Sequence, residues 1–355
     1  MKSVVVIGAG VVGLCCAVRL AQAGARVTLL EAEAEDLSVY GPGASAAAAG
    51  MLAPLGVEPS SHDAIALASF DLWRRWRAGA AWADGVRFDG CVIAPPSAED
   101  AAALVHRARA MRRGAEPLRA AQLRKRTALR ARLEHTVFLE DEGVADPLRV
   151  LTGLRMQARA HGVLLEYSRD AETVDRHSVR TFEGVSYEAD AVVLAIGYWG
   201  CRRFSSAAPA LGHVTPAKGH IAPVVLKQPL GPNFRAPDFY LAQRREDVVL
   251  GATLESGRAD RRVEQARIDG LFAAAEALLP GEVKPAERGW AGVRPMSPDG
   301  WPLIGPSGDV LVAAGHSRNG WLLAPITAEI ITAYVFGAEI PEDWAALSPA
   351  RFESL

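Results

Sequence analysis

Three glycines at fixed spacing are the most chemically informative residues of the chain. Gly8, Gly10 and Gly13 close the run Lys2-Ser-Val-Val-Val-Ile-Gly-Ala-Gly-Val-Val-Gly13, directly after a stretch of strand-forming apolar residues. Glycine at 8 permits a tight turn, at 10 it leaves room for backbone to approach a phosphate, and at 13 it lets a helix lie close on the preceding strand. The unpaired N–H groups of the first helical turn then face an anion, helped by the helix dipole. Glu31 follows 18 residues after Gly13, at the end of the next strand, where a carboxylate can accept both hydroxyls of a ribose. The combination fits an adenine dinucleotide. An acid at 31 repels a 2′-phosphate and so disfavours NADP. The motif does not separate FAD from NAD, and the plain alternative is a βαβ unit whose glycines serve packing.

Other residue types in the chain offer binding chemistry. Arg294 ends a candidate strand before Pro295 in an otherwise apolar stretch. A cation there needs an anion, because burying it unpaired is costly. Its partner is either a structural carboxylate such as Asp299 or the carboxylate of a substrate, gripped bidentately. Arg318 sits in a strand-to-helix glycine turn, either as an ion pair or against substrate. Tyr240, in Phe239-Tyr-Leu-Ala-Gln-Arg244, is either a half-buried strand tyrosine or a hydroxyl that bonds a substrate carboxylate. The segment Gly43-Ala-Ser-Ala-Ala-Ala-Ala-Gly-Met51 is nearly stripped of side chains. It can lie flat along a cofactor, offering backbone N–H groups and the Ser45 hydroxyl to phosphate or ring oxygens. Alternatively it is an alanine-rich helix start capped by Ser45.

The elements that must hold these groups alternate in type. The pattern predicts a helix Val11–Ala23 with Gly24 past its end, a strand Arg26–Leu30, a helix over 61–79 and a strand Val86–Ile93 stopped by Pro95-Pro96. Ser97 caps a helix, and Asp146-Pro147 opens another, Leu148–Ala160, that Gly162 closes. Strands are expected at Val163–Tyr167 and Ala191–Ile196. A hairpin joins Phe239–Gln243 to Val248–Ala252 through the charged turn 244–247. A helix Arg261–Leu279, a strand Val310–Ala314 running into Gly315, and a closing helix Ile326–Phe336 complete the chain. This is an α/β fold: a Rossmann-like nucleotide domain in separated segments, 1–75, 143–213 and 287–355, with a mixed or antiparallel β-sheet domain inserted as 76–142 and 214–286.

Bulk properties narrow the classes. Of 355 residues half are apolar and 23% charged, so a sizeable core is available and a disordered chain is excluded. A net charge of −2 argues against nucleic acid as partner. The basic stretch 107–132, with ten Lys and Arg against Glu116, carries no interleaved aromatics and reads as a solvated helical face. The longest uncharged stretch, Leu37–Val57, is broken by glycine and proline, so no membrane span is expected. The N-terminus enters a core strand at once, leaving no room for a signal peptide, and the four cysteines form neither C-x-x-C nor a metal pattern. A cytoplasmic protein with buried thiols is the expectation.

Three segments, read with the glycine motif, carry a family resemblance: Gly43–Pro54, Trp290-Ala-Gly-Val-Arg-Pro-Met-Ser-Pro-Asp-Gly-Trp-Pro-Leu-Ile-Gly305, and Ala314-Gly-His-Ser-Arg-Asn-Gly-Trp-Leu-Leu-Ala-Pro325. Together the chain resembles the glycine oxidase and D-amino-acid oxidase branch of FAD-dependent amine oxidases, nearest in look to the bacterial glycine oxidases of thiamine biosynthesis. The resemblance implies FAD, held without a covalent bond. Its contacts would be Val11, Val12, Glu31, Ala32, Ala44, Ser45, Ala49, Gly50, Met51, the backbone of Val174, and the turn His316, Ser317, Arg318, Asn319, Gly320, Trp321 and Leu322. It implies that Arg294 holds a substrate carboxylate, with Tyr240 and Arg318 as candidate partners, and that His316 is a packing contact, not a base. A hydride would pass from the α-carbon to flavin N5. The resulting imine would be hydrolysed, and dioxygen would be reduced to peroxide. The partners would be a small amino acid and dioxygen, with a homo-oligomer left open.

Four departures from the family pattern stand out: Leu241-Ala-Gln-Arg244, Lys218-Gly219-His220 where Gln usually ends the triplet, Ser317 in an aromatic's place, and Trp321 in an aliphatic's. If they line the site, the substrate shifts toward an N-substituted glycine or another small amino acid. Competing readings are an FAD-dependent D-amino-acid or hydroxyproline dehydrogenase passing electrons to a quinone, a tRNA-modification flavoprotein, an NAD-dependent dehydrogenase, and a non-catalytic dinucleotide sensor.

Overall fold

The computed structural model describes residues 1–127, 129–130 and 133–352, organised by two large sheets. The first has six strands in the order Leu303–Ser307, Val310–Ala314, Ala191–Leu194, Ser3–Ile7, Arg26–Leu30, Leu164–Glu166. All pairings are parallel except that of the edge strand Leu303–Ser307. The first strand explains its own composition. Val4 and Val6 pack toward the helices Val11–Gln22, Pro147–Ala160 and Gly320–Phe336, whereas Val5 and Ile7 pack on the other face with Leu30, Ala171 and Val179. A strand covered on both faces reads as an unbroken apolar run. The cover on that other face is a three-stranded antiparallel sheet, Ala171–Val174, Ser178–Thr181 and Ser186–Glu188.

The second sheet is ten-stranded and built round the long strand Thr215–Leu226. The hairpin Tyr240–Gln243 and Val248–Gly251 forms as the turn chemistry predicts, and the helix Gln265–Leu278 packs one face through Leu271 and Ala275 against Leu241 and Leu250. The other face carries Ile221, Ala242, Val249 and Trp290, against Ala47 and Ala49. Trp290–Met296 pairs with the long strand over its whole length. The segment 287–355 therefore contributes to both sheets. No helix among the described residues is long and apolar enough to cross a membrane.

Several expectations change. Val86–Ile93 is two strands in different sheets, Val86–Arg87 and Cys91–Ile93. Gly90 turns the chain between them at φ +78°, where a Cβ would collide with Phe138 and the Leu139 carbonyl. The closing helix starts at Gly320, not Ile326, and tolerates Pro325 inside it. Proline removes the N–H that would bond the Trp321 carbonyl; the Trp73 indole donates to that carbonyl instead, at 2.8 Å. The helix expected from Arg261 starts at Gln265, because Arg258–Glu264 is occupied in an ion cluster. The basic stretch is no single helical face. Arg107 pairs Asp63, Arg113 pairs Asp71, and Arg126 pairs Glu116 while stacking on Phe138, so its cations tie elements together. Residues 128, 131 and 132 of that stretch lie outside the described residues.

Candidate active site

The cradle is built from backbone. Gly8 has φ +105°, and a Cβ there would strike the Ala195 carbonyl; one on Gly13 would strike the carbonyl of Gly8. Helix Val11–Gln22 starts behind Gly10 with no side-chain cap. Val11 N–H donates to Ser45 Oγ at 3.0 Å and Ala9 N–H to Glu31 Oε2 at 2.6 Å. Among the described residues the N–H groups of Gly10, Val12 and Gly13 have no protein acceptor. A row of unpaired amides at a helix start, with glycines where side chains would intrude, fits a pyrophosphate. Glu31 stands at the rim, its Oε1 held by Glu33 N–H at 3.1 Å, with Ala32 exposed beside it. Val174 ends its strand at the fringe of the cluster that contains Leu30.

Ser45 does not cap its own short helix, Ala44–Ala47, whose N-cap is Gly43. Its hydroxyl reaches the glycine turn, and tryptophans anchor the rest of the segment: Trp321 Nε1 donates to the Ser45 carbonyl at 3.1 Å and Trp290 Nε1 to the Ala47 carbonyl at 2.8 Å. Ala49 is buried, and Gly50 bends the chain at φ +80° into Met51, which packs at the edge of the Trp290 cluster. The small-residue segment thus lies between the cradle and the Trp290 face of the large sheet.

On that face stand Arg294 and Tyr240. Both owe their position to glycines on neighbouring strands. A Cβ on Gly219 would lie 2.6 Å from Cζ of Arg294, and one on Gly251 would collide with the Tyr240 hydroxyl. Arg294 is half-buried and forms no salt bridge among the described residues; its Nη1 donates to the Thr253 carbonyl at 3.2 Å. Asp299, the expected structural partner, pairs Arg351 at 2.9 Å instead. Burial, reinforced by the charge of Arg318, holds the Arg294 pKa below its ordinary value, while Tyr240 opposes the shift. Burial likewise raises the Tyr240 phenol, against the pull of Arg294 and Arg244. An anion between these groups would restore what burial removes.

The strand end is stitched to the glycine turn that carries Arg318: Ser317 N–H donates to the Pro295 carbonyl at 2.8 Å, and Met296 bridges His316. Ser317 takes φ +52° there, Asn319 precedes Gly320 at the helix start, and Trp321 and Leu322 are buried. Arg318 itself is exposed. His316 is buried with Nε2 2.9 Å from Thr327 Oγ1, and burial pulls its pKa down to about 3. The ring is neutral and held by a threonine.

One departure, Ala242, lies on this face beside Tyr240, and the others do not. Lys218 and His220 point to the reverse of the sheet, Gln243 bonds the Arg244 carbonyl at 2.9 Å, and the Trp321 ring stacks on Trp73. Only Ser317 stays at the turn. Residues to which the sequence assigned no role are Gly219, Gly251, Thr253 and Trp290. A glycine inside a predicted strand is the signal that marked Gly251, whereas no strand was expected over Gly219.

Comparison with known proteins agrees with this geometry. The sequence profile of the DAO family, FAD dependent oxidoreductase, matches residues 3–334. A glycine oxidase of Geobacillus kaustophilus is 29% identical over 98% of this chain and 96% of its own. The bifunctional protein ThiO/ThiG of Synechocystis is 30% identical over 99% of this chain, which spans 54% of that longer protein. The crystal structure of glycine oxidase from Geobacillus kaustophilus superposes with a TM-score of 0.85 over 99% of each chain, at 26% identity.

Proposed function

The chain belongs to the DAO family of FAD dependent oxidoreductases, and from that premise we propose that it oxidises a small amino acid (glycine, an N-substituted glycine or a D-amino acid) at the carbon beside nitrogen. The observation that carries this reading is the half-buried Arg294 guanidinium, without a protein carboxylate among the described residues, on a sheet face cleared by Gly219. Such a group binds a carboxylate bidentately.

When bound, the flavin supplies the acceptor for the hydride that leaves the α-carbon. The protein supplies position. The glycine turn, with the Ser45 hydroxyl at its edge, holds the phosphates, and Glu31 meets the ribose. Ala44–Met51 offers a flat backbone against the ring system. Arg294 takes the substrate carboxylate, with Tyr240 donating beside it and Arg318 closing the exposed side. Orientation of this kind can supply about 7–11 kcal/mol in favourable cases. The neutral amine then needs no dedicated base, which agrees with His316 being tied to Thr327. All four cysteines are buried, and burial raises each thiol, which supports a flavin held without a covalent bond.

An oxygen electrode with a panel of glycine, sarcosine, D-alanine, D-proline and longer N-alkylglycines tests the reading, with peroxide counted per turnover to separate dioxygen from a quinone acceptor. Arg294→Ala should raise KM by about 10²-fold or more, the loss of a charged bidentate contact, at unchanged flavin content. Unchanged kinetics with a carboxylate substrate would overturn the assignment.

A further inference from the structure

A polar cluster lies on the reverse face of the same sheet, unused by any step above. The long strand turns Gly219 to the substrate side and presents Lys218 and His220, both fully buried, to the helix side. Beside them the neighbouring strand is interrupted. Ile221 pairs Gly251 and Lys218 pairs Glu255, so Gly219 and His220 face three residues, Ala252, Thr253 and Leu254. An extra residue of this kind re-aims the groups it carries. The Thr253 carbonyl turns to the substrate face, where Arg294 Nη1 donates to it at 3.2 Å. The Thr253 hydroxyl turns back to His220. It accepts the His220 backbone N–H at 2.9 Å and lies 3.0 Å from the ring Nδ1. Glu255 Oε1 is 3.1 Å from the same Nδ1.

The ring's other nitrogen fixes its tautomer. Glu264 N–H donates to Nε2 at 3.1 Å. An amide can only donate, so Nε2 carries a lone pair and the proton sits on Nδ1. His220 therefore bridges the start of the helix Gln265–Leu278 to the Thr253 bulge.

We propose that His220 is a positioning residue for substrate binding: its neutral ring clamps the Thr253 bulge and so fixes the carbonyl that aims Arg294. This rests on the reading that Arg294 grips the substrate carboxylate. The device also gives binding a pH dependence. The charged groups facing the ring are Glu255 from the strand beyond the bulge, Lys218 on its own strand and Glu264 at the helix start. One contact further, Asp260 bonds Lys218 at 2.6 Å, Arg258 pairs Glu255, Asp260 and Glu264, and Arg267 pairs Glu255. Burial outweighs the pull of Glu255 and holds the ring's pKa below 6.5. The neutral ring is thus complete at neutral pH. As pH falls below that value, protonation puts an Nε2–H against the Glu264 N–H, donor against donor, and the clamp opens. Carboxylate affinity should weaken on the acid side.

The test uses the FAD-loaded enzyme and glycolate, which has the carboxylate but no amine, with Kd read from perturbation of the flavin spectrum. His220→Leu and Thr253→Val should each weaken glycolate and raise substrate KM about tenfold, the size of one hydrogen bond to a charged group, with kcat changed less than about twofold. Thr253→Val reads the same contact should His220→Leu fail to fold. His220→Gln can accept from Glu264 and donate to Thr253. It should bind near wild type at pH 8 and stay flat on the acid side, where wild type weakens. Unchanged glycolate affinity in both His220→Leu and Thr253→Val, even with a lowered Tm, would reduce the residue to structure and overturn the proposal. So would an acid limb that survives His220→Gln. Unchanged binding in Arg294→Ala would instead remove the carboxylate reading beneath it.

Discussion

Gly219→Ala separates stability from function at one atom. The added Cβ would lie 2.6 Å from Cζ and Nη2 of Arg294 and closer still to Nη1. Ordinary contact begins at 3.4 Å, so the guanidinium must retreat by about 1 Å, away from the sheet and into the space where a carboxylate would sit. It is the far end of a flexible side chain, so it yields at little cost to folding. Alanine also loses less backbone entropy than glycine in a strand, by roughly 0.5–1 kcal/mol. Tm should therefore hold or rise. A displacement of that size at a positioning group costs on the order of 10²-fold in catalytic efficiency, about 2.7 kcal/mol. The assay is kcat/KM for the best substrate of the panel, glycolate Kd, flavin content and Tm on one preparation. Flavin content should not change, because Gly219 is remote from the cradle at Gly8–Gly13. Unaltered kcat/KM and glycolate Kd at full flavin content would refute the claim that this glycine exists to seat Arg294.

Two further outcomes are expected. Gly13→Ala drives a Cβ against the backbone carbonyl of Gly8 and to 3.2 Å from the Ala195 Cβ; neither can retreat as a side-chain tip does. Overpacking of about 1–3 kcal/mol should lower flavin affinity tenfold or more, seen as loss of visible absorbance per protein, and a fully yellow variant would contradict the cradle. His316 is neutral in the folded chain, its pKa pulled to about 3 by burial, whereas unfolding restores 6.5. Its contribution is therefore complete above pH 6.5 and is lost as pH falls toward 3, amounting to about 2 kcal/mol at pH 5. Urea unfolding of wild type and His316→Gln at pH 7.5 and pH 5 measures it: wild type should lose that much relative to the variant, and equal differences at the two pH values would refute the assignment.

How much of this was legible in the sequence depends on the range of the contact concerned. The phosphate turn, Glu31 and the Asp146-Pro147 helix start rest on interactions within one supersecondary unit, so spacing and residue type disclosed them. Arg294 was legible as a cation needing a partner, but the rejection of Asp299 required Arg351, 52 residues further on in the chain. Val86–Ile93 read as one strand because its apolar residues outweighed the turn-forming pair Asp89-Gly90; the Phe138 ring and the Leu139 carbonyl against Gly90 show why it breaks there. Gly251 looked like a weakness in a strand pattern and Gly219 lay where no strand was expected; their meaning appears only when a side chain from a neighbouring strand lies over each.

Lys218-Gly219-His220 gathers these lessons into three residues. Read as a motif, the triplet suggested a changed pocket wall. Alternation along a strand forbids that reading for two of its members, since neighbours point to opposite faces. Gly219 clears the substrate face by having no side chain, and His220 works the other face by having one. Both act on the same guanidinium, the first by making room for it and the second by fixing the Thr253 carbonyl that holds it. On this proposal, binding of a carboxylate is controlled by residues that never touch it. That is why exchanging His220 for glutamine should preserve affinity at pH 8 yet abolish its acid dependence, while a methyl group on Gly219 should destroy affinity at every pH.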